Sequence, residues 1–266
     1  MAGRFEITPE QLLKRIGTHD MPALVDLRID DDFREDPVLI PGSIRIEFKD
    51  LDRVIEYIRG RLAVVFCHKG LKISQGVAAQ LRARSIQADV LAGGFEAWRD
   101  VGGPVVAMSN VSSTKSWVTR QRPKVDRIAC PWLIRRFIDP EAEILFVPAT
   151  DVALVAERFD AIPFDVEGVR FSHVGEACSF DTFLQEFRIQ YAPLTKMAEV
   201  IRAADTNALD RIPQASGVLA ILLGLSRMYR DDYAQLEAGF TICDALFRWA
   251  KDAQNESHDW PTPRNR

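Results

Sequence analysis

The stretch Val64-Val65-Phe66-Cys67-His68-Lys69-Gly70-Leu71-Lys72-Ile73-Ser74-Gln75-Gly76 decides the fold of the first part of the chain. A short apolar run ends at Phe66, a cysteine follows at once, and a helical pattern starts near Ser74, with Gly70 in the middle of the loop between them. A strand that enters a helix through such a loop can turn successive backbone N–H groups toward one point, and the helix N-terminus adds partial positive charge. A cysteine placed there is expected to be a reactive thiolate, and Lys69 and Lys72 strengthen that expectation. The same nest suits an anion: a persulfide, thiosulfate or a tetrahedral oxyanion. The competing reading of Cys67 is a buried structural cysteine. His68 reads either as a base or as a solvated loop residue.

Outward from this segment, residues 23–26, 62–66 and 89–91 are short apolar runs beside turn or charged residues, the pattern of buried strands. Helical patterns lie between them. Thr8-Pro9-Glu10-Gln11 opens one with an N-cap, a proline at the first helical position and a glutamine at the capping-box position, and residues 75–84 form another. Strands alternating with helices predict an α/β fold: a mostly parallel sheet with helices on both faces. Gly102-Gly103-Pro104 ends the pattern, and residues 109–116 are small and polar, as in a linker. Beyond it helical spacing dominates, at 130–138, 150–159, 194–204, 217–229 and 233–252, with strand candidates only at 144–147 and 169–171. The expected organisation is an α/β domain at 1–107, a linker at 108–118, a mainly α-helical (α+β) domain at 119–253 and a polar tail at 254–266.

Composition bounds the function. The 266 residues are 47% hydrophobic and 27% charged, as in ordinary globular proteins, and 34 Lys and Arg against 38 Asp and Glu give a net charge of −4. Nothing in that balance favours a nucleic-acid partner, and no helix-turn-helix with a basic recognition helix is visible. The four cysteines are scattered without a C-x-x-C pair, which excludes a zinc ribbon, a thioredoxin motif and a disulfide scaffold. The first residues lack the apolar stretch of a signal peptide, and the longest apolar run, 218–223, is too short to span a bilayer. A soluble, cytoplasmic protein is expected.

Four signatures of the first part resemble the single-domain rhodanese family. They are Leu24-Val25-Asp26-Leu27-Arg28, Ile40-Pro41-Gly42-Ser43-Ile44, Cys67-x-x-Gly70 and Gly93-Gly94-Phe95-x-x-Trp98, in family order. The resemblance implies a rhodanese-like fold and a thiosulfate sulfurtransferase-like activity. Cys67 would accept a sulfane sulfur as a persulfide and pass it to a nucleophile, with small molecules as sulfur donor and acceptor. His68, Lys69, Gly70, Leu71, Lys72, Ile73 and Ser74, together with Asp26 and Arg28, would form the anion-binding surroundings. One departure stands out. Ser74 lies seven positions after Cys67 rather than six, so the loop is one residue longer, with Lys72 where an arginine often sits. Longer loops resemble those of rhodanese-fold phosphatases and arsenate reductases. Their phosphate-binding arginine would fall at Ile73, which does not support phosphatase chemistry.

In the second part, Arg135 and Arg136 follow Arg127 by eight and nine residues, and on a helix spacings near seven to eight return to one face. They read either as an anion patch or as a solvated basic face. Residues 171–183 gather His173, Glu176, Cys178 and Asp181. His173 and Glu176, completed by Asp205 and Asp126, would suit an Fe, Mn or Zn ion. Otherwise His173 is a hydrogen-bonded structural residue, and Ser179 with Asp181-Thr182 caps a helix at 183–187. No organic cofactor is expected.

This part resembles the C-terminal domain of the chromate-resistance protein family, through Asp126-Arg127-x-x-Cys130-x-Trp132-Leu133-Ile134-Arg135-Arg136, His173-x-x-Glu176, Ala203-Ala204-Asp205 and Gln214-Ala215-Ser216-Gly217. That resemblance implies a role in chromate resistance, with chromate or a similar oxyanion as a partner. The leading expectation is therefore a sulfurtransferase fused to a metal- or oxyanion-binding domain. Its alternatives are a chromate-responsive binding or regulatory protein and a metal-dependent redox enzyme. The sequence sets no oligomeric state.

Overall fold

The computed structural model describes residues 3–108 and 115–256. Strands β1 (Glu6–Ile7), β2 (Ala23–Asp26), β4 (Ser43–Arg45), β5 (Ala63–Phe66) and β6 (Ala88–Leu91) form a five-stranded sheet in the order β1-β6-β5-β2-β4. Every pairing in it is parallel. A short antiparallel pair, β3 (Val38–Leu39) with β7 (Val106–Ala107), lies beside it. The central strand β5 is buried along its whole length, which is why it reads as a continuous apolar run rather than an alternating one.

Alternation along β5 still sorts its side chains. Val65 packs on one face with Val25, Val77 and Leu81, beneath α3 (Leu51–Ile58) and α4 (Lys72–Ala83). Val64 and Phe66 face the other side, toward Leu12 and Ile16 around α1 (Pro9–Arg15) and Phe95 and Trp98 of α5 (Gly94–Asp100). The expected capping box opens α1: Thr8 Oγ1 accepts the Gln11 N–H at 3.2 Å and Gln11 Oε1 accepts the Thr8 N–H at 2.9 Å. The one remaining helix here, α2 (Asp30–Glu35), has no buried residue.

The second part is built on a three-stranded parallel sheet, β8 (Ser116–Arg120), β9 (Glu143–Val147) and β10 (Ile162–Pro163), in the order β10-β8-β9. Helices α6 (Val125–Leu133), α7 (Val152–Arg158), α8 (Ser179–Glu186), α9 (Ala192–Asp205), α10 (Gln214–Met228) and α11 (Asp232–Arg248) accompany it. Two strands were not expected. β8 begins inside the polar stretch assigned to the linker, of which 109–114 lie outside the described residues, and β10 has only two residues. The strand expected at 169–171 does not form; Phe171 makes one isolated bridge to Phe164. Of the tail expected at 254–266, residues 257–266 lie outside the described residues.

The two parts share one core. Leu12, Ile16, Trp98 and Val106 belong to the same packed cluster as Trp132, Phe137 and Phe247. A Cβ on Gly17 would lie 2.3 Å from the Phe137 ring, so a side chain there would separate the parts. Polar links reinforce the contact. The Gly42 N–H donates to the Phe137 carbonyl at 2.8 Å and the Ala107 N–H to the Phe187 carbonyl at 2.9 Å. Lys251 Nζ donates to the carbonyls of Leu13, Lys14 and Ile16 at 2.9–3.1 Å, closing the C-terminal end of α1.

Candidate functional sites

Cys67 follows the last residue of β5, at the carboxyl edge of the parallel sheet, where open α/β folds place their chemistry. It is 5% exposed, and its Sγ lies 3.3 Å from Ser74 Oγ in the first turn of α4. The helix starts at Lys72, two residues before the expected Ser74, which brings the serine back over the thiol. Gly70 (φ +67°) and Gly94 (φ +62°) pin the loop. A Cβ on Gly94 would lie 2.3 Å from Gly70 N and 2.4 Å from the Cys67 carbonyl oxygen. α5 then donates its Phe95 and Glu96 N–H groups to the carbonyls of Cys67 and His68, each at 3.0 Å.

Among the described residues, no backbone carbonyl accepts from the N–H groups of His68 through Leu71. His68 Nε2 and Lys69 Nζ approach Glu96 Oε1 at 3.0 and 3.8 Å, so one carboxylate holds both side chains. Leu71 and Lys72 are exposed and Ile73 is half-buried.

Asp26 and Arg28 are placed differently from the loop residues. They form a fully buried ion pair, 2.6 Å between Oδ2 and Nη2, and the guanidinium also donates to the carbonyls of Asp36 and Val38 and stacks over Phe95 at 3.7 Å. All three of its nitrogens are engaged within the fold, and the pair braces α5 rather than the loop. Burial pushes the Asp26 carboxyl up and the adjacent guanidinium opposes that.

A second cluster sits at the carboxyl edge of the smaller sheet. Asp126 enters from the first turn of α6, Asp205 from the last residue of α9, Asp165 from the turn after β10 and His173 from the loop before α8. His173 Nε2 lies 3.1 Å from Asp205 Oδ2 and 3.6 Å from both Asp126 Oδ2 and Asp165 Oδ1. Ser179 ties the carboxylates together: its N–H donates to Asp126 Oδ2 at 2.6 Å and its hydroxyl to Asp165 Oδ1 at 2.8 Å. Arg127 and Arg120 both face Asp165 Oδ2, at 3.3 and 3.4 Å. The cluster opens to a cleft of about 320 Å³ whose far wall includes Leu219 and Leu223 of α10. Burial pushes the Asp126 carboxyl well above its usual range, helped by Asp205 and Asp165, and burial followed by Asp165 raises the Asp205 carboxyl.

Of the four residues expected to hold a metal, His173, Asp205 and Asp126 meet, but Glu176 does not. It is exposed and pairs with Arg211 at 3.3 Å, because the turn at Gly175 (φ +60°) points it away. Asp165 was missed; the bridge of Phe164 to Phe171, with the Asp165 N–H donating to the Phe171 carbonyl at 2.9 Å, brings it beside His173. The expected patch of Arg127, Arg135 and Arg136 does not form. The chain from Ile134 to Ile138 is π-helical, so a spacing counted on an α-helix does not hold. Arg127 faces Asp165, Arg135 pairs with Glu237 at 3.4 Å, and Arg136 with Asp244 at 2.8 Å. The expected cap is shifted as well: α8 begins at Ser179, and the N-cap is Cys178, whose N–H donates to Asp181 Oδ2 at 3.0 Å.

A cysteine loop on the central strand of a five-stranded parallel sheet gives the first part a rhodanese-like fold, and a helix-rich second part with an Asp–His cluster follows it. The family description of the rhodanese-like domain matches residues 8–100. That of the C-terminal domain of ChrB matches residues 117–250, half of the chain, and the chain belongs to this family. Protein ChrB of Cupriavidus metallidurans is 36% identical over 134 residues, and the match covers 50% of this chain and 40% of that protein, so the chain spans less than half of that relative's length. Among solved structures, a rhodanese-like domain protein from Staphylococcus aureus is 24% identical, with 37% of this chain and 91% of that one covered and a TM-score of 0.32. A thiosulfate sulfurtransferase from Pseudomonas aeruginosa is 20% identical, with 40% and 20% covered and a TM-score of 0.35. An As-Sb reductase from Leishmania major is 22% identical, with 41% and 89% covered and a TM-score of 0.32. Among the described residues, no helix is long and apolar enough to cross a membrane.

Proposed function

We propose that the chain is a sulfurtransferase acting in chromate resistance, with Cys67 as the sulfur carrier. The observation that carries this reading is the position of Cys67: a thiol at the end of the central strand, inside a loop whose backbone donors have no carbonyl partner. The Cys67 thiolate attacks the outer sulfur of a small donor such as thiosulfate. The S–S bond of the donor breaks, sulfite leaves with the bonding pair, and Cys67 becomes a persulfide. An acceptor nucleophile then takes the terminal sulfur and returns the thiolate. The loop N–H groups and the N-terminus of α4 stabilise the negative charge in both steps. Ser74 Oγ, 3.3 Å from Sγ, orients the sulfur by a hydrogen bond.

Thiosulfate:cyanide sulfurtransferase assays test this. Cys67→Ser is expected to fall to the uncatalysed background; retention of full activity would refute the assignment. Ser74→Ala is expected to lose about tenfold, the value of one hydrogen bond to the reacting atom.

A further inference from the structure

We propose that Asp126, His173 and Asp205 form a binding site for one divalent transition-metal cation, independent of the sulfur chemistry of Cys67. One ligand atom from each of the three lies within 4.8 Å of the others. Metal–ligand distances near 2.1 Å separate ligands on opposite sides of an ion by about 4.2 Å, so a cation would draw these atoms together only slightly.

Electrostatics makes the same point independently. Three carboxylates converge where a half-exposed imidazole is the group nearest to all of them. The close contacts of the two arginines go to Asp165 Oδ2, so neither forms an ion pair with the two carboxylates that would ligate. Asp126 is 1% exposed, and its Oδ1 is buried without a hydrogen-bond partner. A buried carboxylate with an unpaired oxygen, beside two other carboxylates, is costly unless a proton or a cation offsets its charge.

The donor set fixes the class of ion. Two carboxylates and one imidazole are hard-to-borderline ligands, suited to Mn(II), Fe(II) or Zn(II) rather than to thiophilic ions. Cys130 and Cys178 are buried nearby, but no sulfur is among the ligand atoms that meet here. Asp165 is a positioning residue: it receives the Ser179 hydroxyl and holds Arg120 and Arg127 at the rim. Three protein ligands leave coordination positions open toward the cleft, as in sites where a cation takes water or a substrate atom.

Titration of the full chain with Mn(II), followed by the loss of the free-ion electron paramagnetic resonance signal, tests the proposal. One equivalent is expected to bind, and Zn(II) is expected to displace it. Asp205→Asn, a nearly isosteric change at a partly exposed position, and His173→Ala should each weaken binding at least about tenfold, as loss of a ligand does. Glu176→Gln and Cys67→Ser should bind as the unaltered chain does. Absence of stoichiometric binding overturns the proposal. So does unchanged affinity in Asp205→Asn with near-UV circular dichroism intact, or equal loss in Glu176→Gln.

Discussion

Cys130, Cys178 and Cys243 are buried, and burial pushes each thiol up, so none is poised to react. Cys67 differs by its place at a strand end, against the first turn of a helix. That difference was legible from the residues, because a buried strand, a cysteine and a glycine in immediate succession specify a loop geometry. The ion pair of Asp26 with Arg28 was legible only as a motif. Its burial comes from packing under Phe95, and the sequence does not say which face of the sheet Phe95 covers. Removing one partner strands the other charge in a site closed to bulk solvent. Arg28→Ala is expected to cost about 3–5 kcal/mol in urea unfolding; a loss under about 1 kcal/mol would place the pair among ordinary surface bridges. Asp165 and Glu176 show where spacing fails. Glu176 is three residues from His173 and points away, whereas Asp165 is brought near it by the bridge between Phe164 and Phe171.

At the scale of elements, the Cys67 loop depends on α5 as much as on α4. Gly94 in the left-handed region allows the N-terminus of α5 to touch the backbone of the Cys67 loop, and no other residue can occupy that contact without displacing it. Gly94→Ala is expected to lower sulfurtransferase activity strongly and to cost about 1–3 kcal/mol of stability. Wild-type turnover in that variant would show that the loop does not need the contact. Elements with their own periodicity were readable: α1 with its capping box, the buried strands β2, β5 and β6, and the long helices α9, α10 and α11. β8 and β10 were not. Ser116–Arg120 is a strand because β9 and β10 flank it in parallel, and partners that distant leave no local pattern. The π-helical turn after α6 was equally hidden, and it scattered the arginines that an α-helical count had gathered.

The whole molecule is held as one unit by a core that crosses from the first part to the second. The sequence shows a polar linker and a change of texture, which describes connection but not contact. Full-length protein is therefore expected to unfold in a single cooperative transition; two separated transitions in urea, reported by different probes, would contradict the shared core. Lys251→Met should destabilise that transition by roughly 2 kcal/mol, since the ammonium group donates to three carbonyls of the first part that would lose their partner. The two candidate sites lie on different sheets of this unit. The central claim, that Cys67 carries sulfur, is tested most directly by intact-protein mass spectrometry after brief exposure to thiosulfate. The mass should rise by one sulfur atom, fall back on addition of cyanide, and stay unchanged in Cys67→Ser. No added sulfur in the unaltered chain, or the same addition in Cys67→Ser, would contradict it.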